Sequence, residues 1–285
     1  MFTLCSNSQA PELVPAEEMA DVERQERDPG FRTVVASELT QRERAFRLAY
    51  RVYLDCGYAM EAAGGRIVSK FDAQPSTLVL LIQDAGGGDA ATVSLVFDSP
   101  AGLPSDEVYG PDLAPLRDQG RRLVEVTRLA IDQAYVGSKP LLVQLFNFIS
   151  VYARREERST DCVIEVNPRH VNYYRRLLMF EPAGPERACP RVNGARAELL
   201  RLDFAAQVVE IGIVGGTQGQ ARGPHGRTLY SHFFALDREP QLAAFMRSQH
   251  RPMTLKERRH FQLDGAGSSR RRARIAAHAE HGIAA

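Results

Sequence analysis

Two ionisable side chains interrupt an apolar run between Arg122 and Asp132, where Glu125 and Arg128 stand among Leu123, Val124, Val126, Leu129 and Ile131. Val, Leu and Ile suit a pleated, buried strand, and a charge inside such a strand is costly unless it is paired or used on a ligand. A carboxylate held there can accept a proton from an amine, because desolvation raises its pKa. A guanidinium there can hold a carboxylate through its bidentate fork. Residues three apart on a regular strand point to opposite faces, so Glu125 and Arg128 share a cleft only if the strand carries a bulge between them. The competing reading is structural, with Glu125 paired to Arg128 or Arg122, or Arg128 paired to Asp98.

The flanking sequence predicts the elements that would position this pair. Phe31 to Ser37 reads as a strand, and Thr40-Gln41-Arg42-Glu43 as a capping box opening a helix whose stripe is Phe46, Ala49, Tyr50 and Tyr53. Gly57 stops that helix. Thr77 to Gln83 and Ala91 to Asp98 are β-rich runs that the Gly-rich turn from Asp84 to Asp89 joins as a hairpin. Ser99 to Gly120 is rich in Pro, Gly and acid, lacks periodicity, and reads as a loop between core strands that is suited to a substrate lid.

After the Glu125 strand, Ser138 caps a helix with Pro140 in its first turn, and Leu141, Leu142, Leu145, Phe148, Ile149 and Tyr152 line its buried face. Asp161 to Val166 reads as a short buried strand. Asn167-Pro168 then opens a helix running to about Leu178. Asn193-Gly194, between Arg187 to Val192 and Arg196 to Phe204, predicts a hairpin. Gly215 to Gly226 is a Gly-rich linker, and Leu229 to Phe261 contains a helix near Gln241 to Gln249.

The organisation expected is a mobile N-terminal tail over 1–30, an α/β (α+β) domain over 31–205, and a partly helical C-terminal extension over 206–285 that ends in a disordered basic stretch around Arg270 to Arg274. The formal charge of +1 over 285 residues gives no whole-chain case for nucleic-acid binding. The N-terminus has neither the basic start nor the apolar core of a signal peptide, and no run approaches transmembrane length. Four scattered cysteines, without a CxxC pair or a His at ligand spacing, argue against a zinc site and fit a reducing cytoplasm.

Glu125-Val126-Thr127-Arg128-Leu129-Ala130-Ile131, the run from Val166-Asn167-Pro168-Arg169-His170 through Tyr173-Tyr174-Arg175-Arg176, and Cys189-Pro190-Arg191-Val192-Asn193-Gly194 followed by Leu199-Leu200-Arg201-Leu202 are motif-rich. Through them, Arg121 to Asp203 resembles the N-acyl amino acid synthases, long-chain acyltransferases of the GNAT superfold related to the acyl-homoserine lactone synthases. A weaker similarity runs upstream through Tyr50-Arg51-Val52-Tyr53 and Gly57-Tyr58, so that roughly Phe31 to Phe204 is covered.

The resemblance implies a GNAT-like acyl-CoA N-acyltransferase fold, with a central mixed twisted sheet flanked by helices. It implies transfer of a long fatty acyl group from a thioester, usually on acyl carrier protein, to the α-amine of a free amino acid. No permanently bound cofactor, metal or nucleic acid is expected, and the donor is an acyl-phosphopantetheine of the carrier protein or an acyl-CoA. The backbone N–H groups from Leu129 to Ile131 would meet the oxyanion. Tyr174 would stand near the thiolate.

Two departures accompany the resemblance. Met179-Phe180 stands where relatives have Gly-Phe, and Tyr135 to Lys139 lacks a recognisable diphosphate loop. Gly137 and Ser138 still leave a weak anion site at a helix start, which suits the single phosphodiester of a carrier arm.

Other candidates follow from residue type. Asn167 and His170 stand at a helix start, where free N–H donors favour an anion. Arg51 could clamp the donor phosphate or the acceptor carboxylate. Arg154, Arg155, Arg158, Arg175 and Arg176 are candidates for docking the acidic carrier protein. Phe46, Tyr58 and Phe148 are candidates for an acyl tunnel or for ordinary core. Lactone synthesis is the nearest rival, weakened by the absence of tryptophan, and a non-catalytic acyl-carrier-binding module is the rival of another class.

Overall fold

A computed structural model of the protein describes residues 30–263. The expected N-terminal tail, apart from Gly30, and the basic stretch around Arg270 lie outside the described residues. Seven strands form one mixed sheet in the order β1-β2-β3-β4-β5-β7-β6. They span Phe31–Val35 (β1), Leu78–Asp84 (β2), Asp89–Phe97 (β3), Leu123–Ile131 (β4), Asp161–Val166 (β5), Glu181–Cys189 (β6) and Ala195–Asp203 (β7). Every pairing is antiparallel except that of β4 with β5.

The helices are α1 (Leu39–Asp55), α2 (Asp106–Asp118), α3 (Lys139–Arg155), α4 (Val171–Leu178), α5 (Phe204–Val214), α6 (Glu239–Gln249) and α7 (Leu255–His260). The central strands are buried on both faces, which is why they read as continuous apolar runs rather than alternating ones. One face of the sheet packs Leu80, Leu95, Val126 and Ile164 with Leu145, Ile149 and Tyr152 of α3. The other packs Val79, Leu81 and Ala130 with Ala45, Phe46, Ala49 and Tyr53 of α1.

Most expected elements are present, with informative differences at their ends. α1 begins before the expected box, because the Gln41 side chain accepts from the N–H groups of Ser37 (3.0 Å) and Glu38 (2.9 Å). Ser138 caps α3 by accepting from Leu141 N–H at 3.4 Å. Asn167 caps a single 3-10 turn, Pro168–His170, before α4 proper. The β6–β7 hairpin closes where Asn193 (φ 56°) and Gly194 (φ 73°) are both left-handed, the conformation that Asn-Gly favours.

Met179 adopts φ 60° at the end of α4. It therefore takes the left-handed conformation that glycine adopts without a Cβ penalty, so the departure from Gly-Phe leaves the helix end in place.

The Ser99 to Gly120 stretch is not a loop throughout. It contains α2, which kinks at Tyr109 and carries Pro111 and Pro115, and it buries Tyr109 and Leu113. Proline lacks an N–H and breaks the usual helical pattern, which masked this helix in the sequence.

The chain beyond β7 is helical in part and packs on the sheet. Asp203 caps α5 by accepting from Ala205 N–H at 2.8 Å, and Leu229, Tyr230, Phe233 and Met246 join the main core. Met253 and Phe261 pack under α1. Buried Glu239 at the start of α6 receives Arg154, and Arg155 at 3.0 Å, from the end of α3.

A buried charge left without its partner costs several kcal/mol, so Glu239→Ala should lower the stability of the chain by about 3–5 kcal/mol. Urea unfolding measures this, and a loss below about 1 kcal/mol, typical of a surface pair, would contradict the packing role.

Candidate active site

The bulge that the Glu125 and Arg128 pair demands is present. The β3–β4 register shifts between Thr92 and Ser94, and Arg128 on the bulged side takes φ 53°. Bulges re-aim side chains in this way. Arg128 therefore faces α1 rather than α3, on the side of the sheet where Thr127 and Glu125 already lie by regular alternation. The β4–β5 ladder ends at the same place, with Glu125 opposite Val163 as the last paired rung. Beyond it the two strands separate, and the β4 backbone alongside Leu129 and Ile131 has no β5 rung, while the Leu129 and Ile131 side chains fill the core.

Glu125 is fully buried. Its Oε2 accepts from the backbone N–H of Ser105 at 2.7 Å, and Oε1 has no hydrogen-bond partner among the described residues. Neither structural pairing expected for Glu125 occurs: Arg128 goes elsewhere, and Arg122 donates to the Arg158 carbonyl at 2.6 Å. Burial first, and the nearby Glu165 carboxylate second, push the Glu125 carboxyl up to about 7, against the pull of Arg191 and the Ser105 hydrogen bond.

Arg128 is also buried, and its fork is filled. Nη1 donates to Asp72 Oδ2 at 2.7 Å and Nη2 donates to Asp72 Oδ1 and to Ser94 Oγ. Its guanidinium also lies 5.4 Å from the Phe46 ring centre. Arg128 thus pairs with Asp72 rather than with Glu125 or Asp98, and its fork is not open to a substrate carboxylate. Asp72 belongs to the Lys70-Phe71-Asp72 stretch, whose distance in sequence from Arg128 hid the pair.

Two residues that the sequence reading gave no role complete the centre. Glu165, at the end of β5, is 1% exposed and leaves Oε1 without a partner among the described residues. Its Oε2 accepts from Arg191 Nη2. Arg191 sits on the 3-10 turn Pro190–Val192 of the β6–β7 hairpin, and its other arm donates to Glu107 of α2 at 2.8 Å. A glutamate inside Asp-Cys-Val-Ile-Glu-Val is the same signal that singled out Glu125, and Arg191 lay within a motif without an assigned task.

The remaining candidates are dispersed around this centre. Tyr174 is buried against Phe146 and Phe180, at 6.3 and 6.1 Å between ring centres, and burial holds its phenol well above the ordinary tyrosine range. Asn167 and Arg169 both approach the Tyr58 hydroxyl, at 3.4 and 3.3 Å, and Arg169 donates to His170 Nε2 at 3.0 Å. Arg51 is exposed and pairs with Asp132. Gly137 (φ 87°) precedes the Ser138 cap.

The expected five-arginine docking patch is divided. Arg154 and Arg155 are taken by Glu239, while Arg175 and Arg176 stand exposed on α4.

On the α3 face, beside the separating strands, Val126, Phe146, Ile149, Ile164, Leu178 and Phe180 line a small apolar cavity of about 20 Å³. Phe146 lines it, and the three aromatic candidates belong to the core, Phe46 and Tyr58 under α1 and Phe148 partly buried against the main cluster. A larger cleft of about 380 Å³ opens at the other end of β4, where Arg117 and Arg121 are paired with Asp98 and Asp161. Among the described residues, no group of three or more His, Cys, Asp or Glu side chains is placed to hold a metal ion. No helix of the described residues is long and apolar enough to cross a membrane.

A mixed seven-stranded sheet whose parallel central pair opens beside a buried carboxylate is the GNAT-like acyl-CoA N-acyltransferase fold, and the protein is an acyltransferase. A family model described as N-acyl amino acid synthase FeeM matches residues 44–203, more than half of the chain, and the protein belongs to that family.

The structure of FeeM, an N-acyl amino acid synthase from uncultured soil microbes, is 26% identical, with 63% of this chain and 93% of that chain covered at a TM-score of 0.56. A CoA-dependent acyl-homoserine lactone synthase, BjaI, solved with SAM and isopentyl-CoA, is 16% identical, with coverage of 62% and 84% and a TM-score of 0.47. An acyl-CoA N-acyltransferase from Pseudomonas aeruginosa is 16% identical, with coverage of 60% and 97% and a TM-score of 0.41. No curated protein sequence matches the chain.

The raised Glu125 carboxyl has a consequence for stability. The folded chain holds this proton up to about pH 7, whereas the ordinary value is 4.5. Its stabilising contribution is complete below the unfolded value and is lost as pH rises through the folded one. Glu125→Gln carries a neutral group throughout, so its stability relative to the unaltered chain should rise between these two pH values by on the order of 2–3 kcal/mol. Urea unfolding at both ends of that window reads the difference, and a constant gap would show that Glu125 titrates normally.

Proposed function

We propose that this acyltransferase moves a long-chain fatty acyl group from the phosphopantetheine thioester of an acyl carrier protein to the α-amine of a free amino acid, in the cytoplasm, by direct attack. The observation that carries the reading is Glu125, a buried carboxylate with an open oxygen and a pKa near 7, at the last rung before β4 and β5 part. A base poised near the working pH is efficient in proton transfer.

The amino acid arrives as its ammonium, and Glu125 takes one proton, directly or through a water. The neutral amine attacks the thioester carbonyl. The oxyanion forms beside the unpaired β4 backbone near Leu129 and Ile131, where N–H groups fixed by the β-bulge need no reorganisation. The attack forms the C–N bond, and collapse restores the carbonyl and breaks the C–S bond. The pantetheine sulfur leaves with a proton from the Tyr174 phenol, which burial keeps protonated; the second proton of the amine nitrogen, released as the amide forms, restores that phenol, and Glu125 gives its own proton to water. Arg128, locked by Asp72, positions the bulge and does not bind the acceptor.

The apolar cavity beside Val126 and Phe146 supports an acyl site on the α3 side, and its small volume requires those side chains to move aside for a long chain. Gly137 and Ser138 offer a helix start for the single phosphodiester of the carrier arm. Asn167 and His170 are assigned to the pantetheine, and exposed Arg51 to the phosphate. Exposed Arg175 and Arg176 form the docking surface for the acidic carrier, which is smaller than the five-arginine patch. The non-catalytic alternative rested on Met179, and that residue adopts glycine's conformation.

Mass spectrometry of the purified protein incubated with long-chain acyl carrier protein, acyl-CoA and a pool of amino acids should show an N-acyl amino acid formed from the carrier-bound donor. Glu125→Gln should lower kcat by about 10²–10⁴ with the far-UV circular dichroism unchanged, and reversing the charges of Arg175 and Arg176 should remove the preference for the carrier-bound donor. Unchanged turnover in Glu125→Gln would take Glu125 out of the mechanism, and a homoserine lactone formed when S-adenosylmethionine is supplied would replace the amino acid as acceptor.

A further inference from the structure

With Glu125 ionised, the inner site holds more negative than positive charge. Arg128 and Asp72 neutralise one another, and Arg191 answers one of the two buried carboxylates, Glu165. Glu125 has only a neutral backbone donor. Each glutamate keeps one oxygen without a partner among the described residues, and in a buried site an unmet carboxylate oxygen is expensive. A cation with several N–H donors complements these two oxygens. The other ionisable groups around the cluster are Tyr53, Tyr109 and Cys189, all pushed toward their protonated, neutral forms by burial, and the Arg187–Asp112 pair behind Tyr109.

Arg191 differs from Arg128 in one respect that matters for binding. Its inner arm is held by buried Glu165, but its outer arm holds Glu107, whose side chain is 51% exposed. Exposed ion pairs are weak, so a second carboxylate can take that arm at little cost. A guanidinium arm held only by exposed Glu107, in a cluster with two open carboxylate oxygens, matches the two charges of an α-amino acid, which stand one carbon apart.

We infer that Arg191, Glu165 and Glu125 form the acceptor site, with the outer arm of Arg191 taking the α-carboxylate in exchange for Glu107 and the open oxygens of Glu165 and Glu125 taking the α-ammonium. This rests on the N-acyltransferase reading above and assigns to Arg191 the role that the sequence offered to Arg128. The acceptor class is an α-amino acid with a free carboxylate, and an amine without one loses half of its anchor. Glu165 holds the ammonium and orients Arg191, while Glu125 takes the proton. Because Glu107 and Ser105 belong to one end of α2, displacement of Glu107 also opens the outer side of the pocket while the Ser105 hydrogen bond to Glu125 stays.

The test compares three acceptors with the full-length enzyme and a saturating carrier-bound donor: the amino acid that the unaltered enzyme acylates, its methyl ester, and the amine left by removing its carboxylate. Arg191→Gln should raise KM for the amino acid about tenfold or more beyond any change it causes for the ester and the amine, which share its effect on Glu165. Because that variant leaves Glu165 buried without its partner, Glu107→Gln, on an exposed side chain, provides a second reading. It should lower KM for the amino acid about two- to fivefold and leave the ester and the amine unchanged.

Equal changes for all three acceptors in Arg191→Gln, or an unchanged or raised amino acid KM in Glu107→Gln, would overturn the assignment while leaving the acyltransferase reading intact. No acylation of any amino acid by the unaltered enzyme would overturn that reading, and this assignment with it.

Discussion

At Arg128 the β4 backbone turns into the left-handed region, at a cost of about 1–2 kcal/mol for a residue with a side chain. The cost is met by the contacts that the turn creates: a two-armed pair with buried Asp72, a hydrogen bond to Ser94 and the face of Phe46. The bulge shifts the register with β3, leaves the far end of β4 without a rung on β5, and brings Arg128 to the side of the sheet where Glu125 lies. Without that one residue, β4 would continue as a regular strand and Arg128 would face α3 instead of bordering the gap between β4 and β5.

The surrounding elements maintain that gap. α1 lies under Arg128 through Phe46, and Phe46 is backed in turn by Phe261, 5.1 Å away between ring centres. The C-terminal residues reach this point through a buried pair, Arg42 with Glu257, at 2.8 Å. α2 closes the other side, with Ser105 on Glu125 and Glu107 on Arg191. The stretch that the sequence suggests as a lid is thus a short kinked helix carrying two contacts to the site, and the chain beyond β7 is a support for it.

Much of the fold was legible because local signals agreed with tertiary demands. The β2–β3 hairpin, the Ser138 cap, the β5 strand and the Asn193-Gly194 turn each rest on a few neighbouring residues whose backbone preferences are strong. The bulge was legible as a demand, since two charges three apart can share a cleft in no other way. What stayed hidden is non-local. Asp72 and Arg128 are 56 positions apart, and Arg154 and Glu239 are 85 apart; in both cases the arginine was visible and its carboxylate was not. Glu165 was overlooked although it carries the same signal as Glu125, a carboxylate inside a buried strand, because no arginine stands beside it in sequence.

The central claim is that Glu125 is a proton acceptor tuned by burial and by Glu165. Its protonation can be followed directly by carbon NMR of carboxyl-labelled glutamate, with the Glu125 signal assigned by its loss in Glu125→Gln. The account predicts a titration midpoint near 7, displaced downward when Glu165 is replaced by Gln. A midpoint at the ordinary 4.5 would contradict it, and would leave Glu125 as a structural carboxylate capped by Ser105.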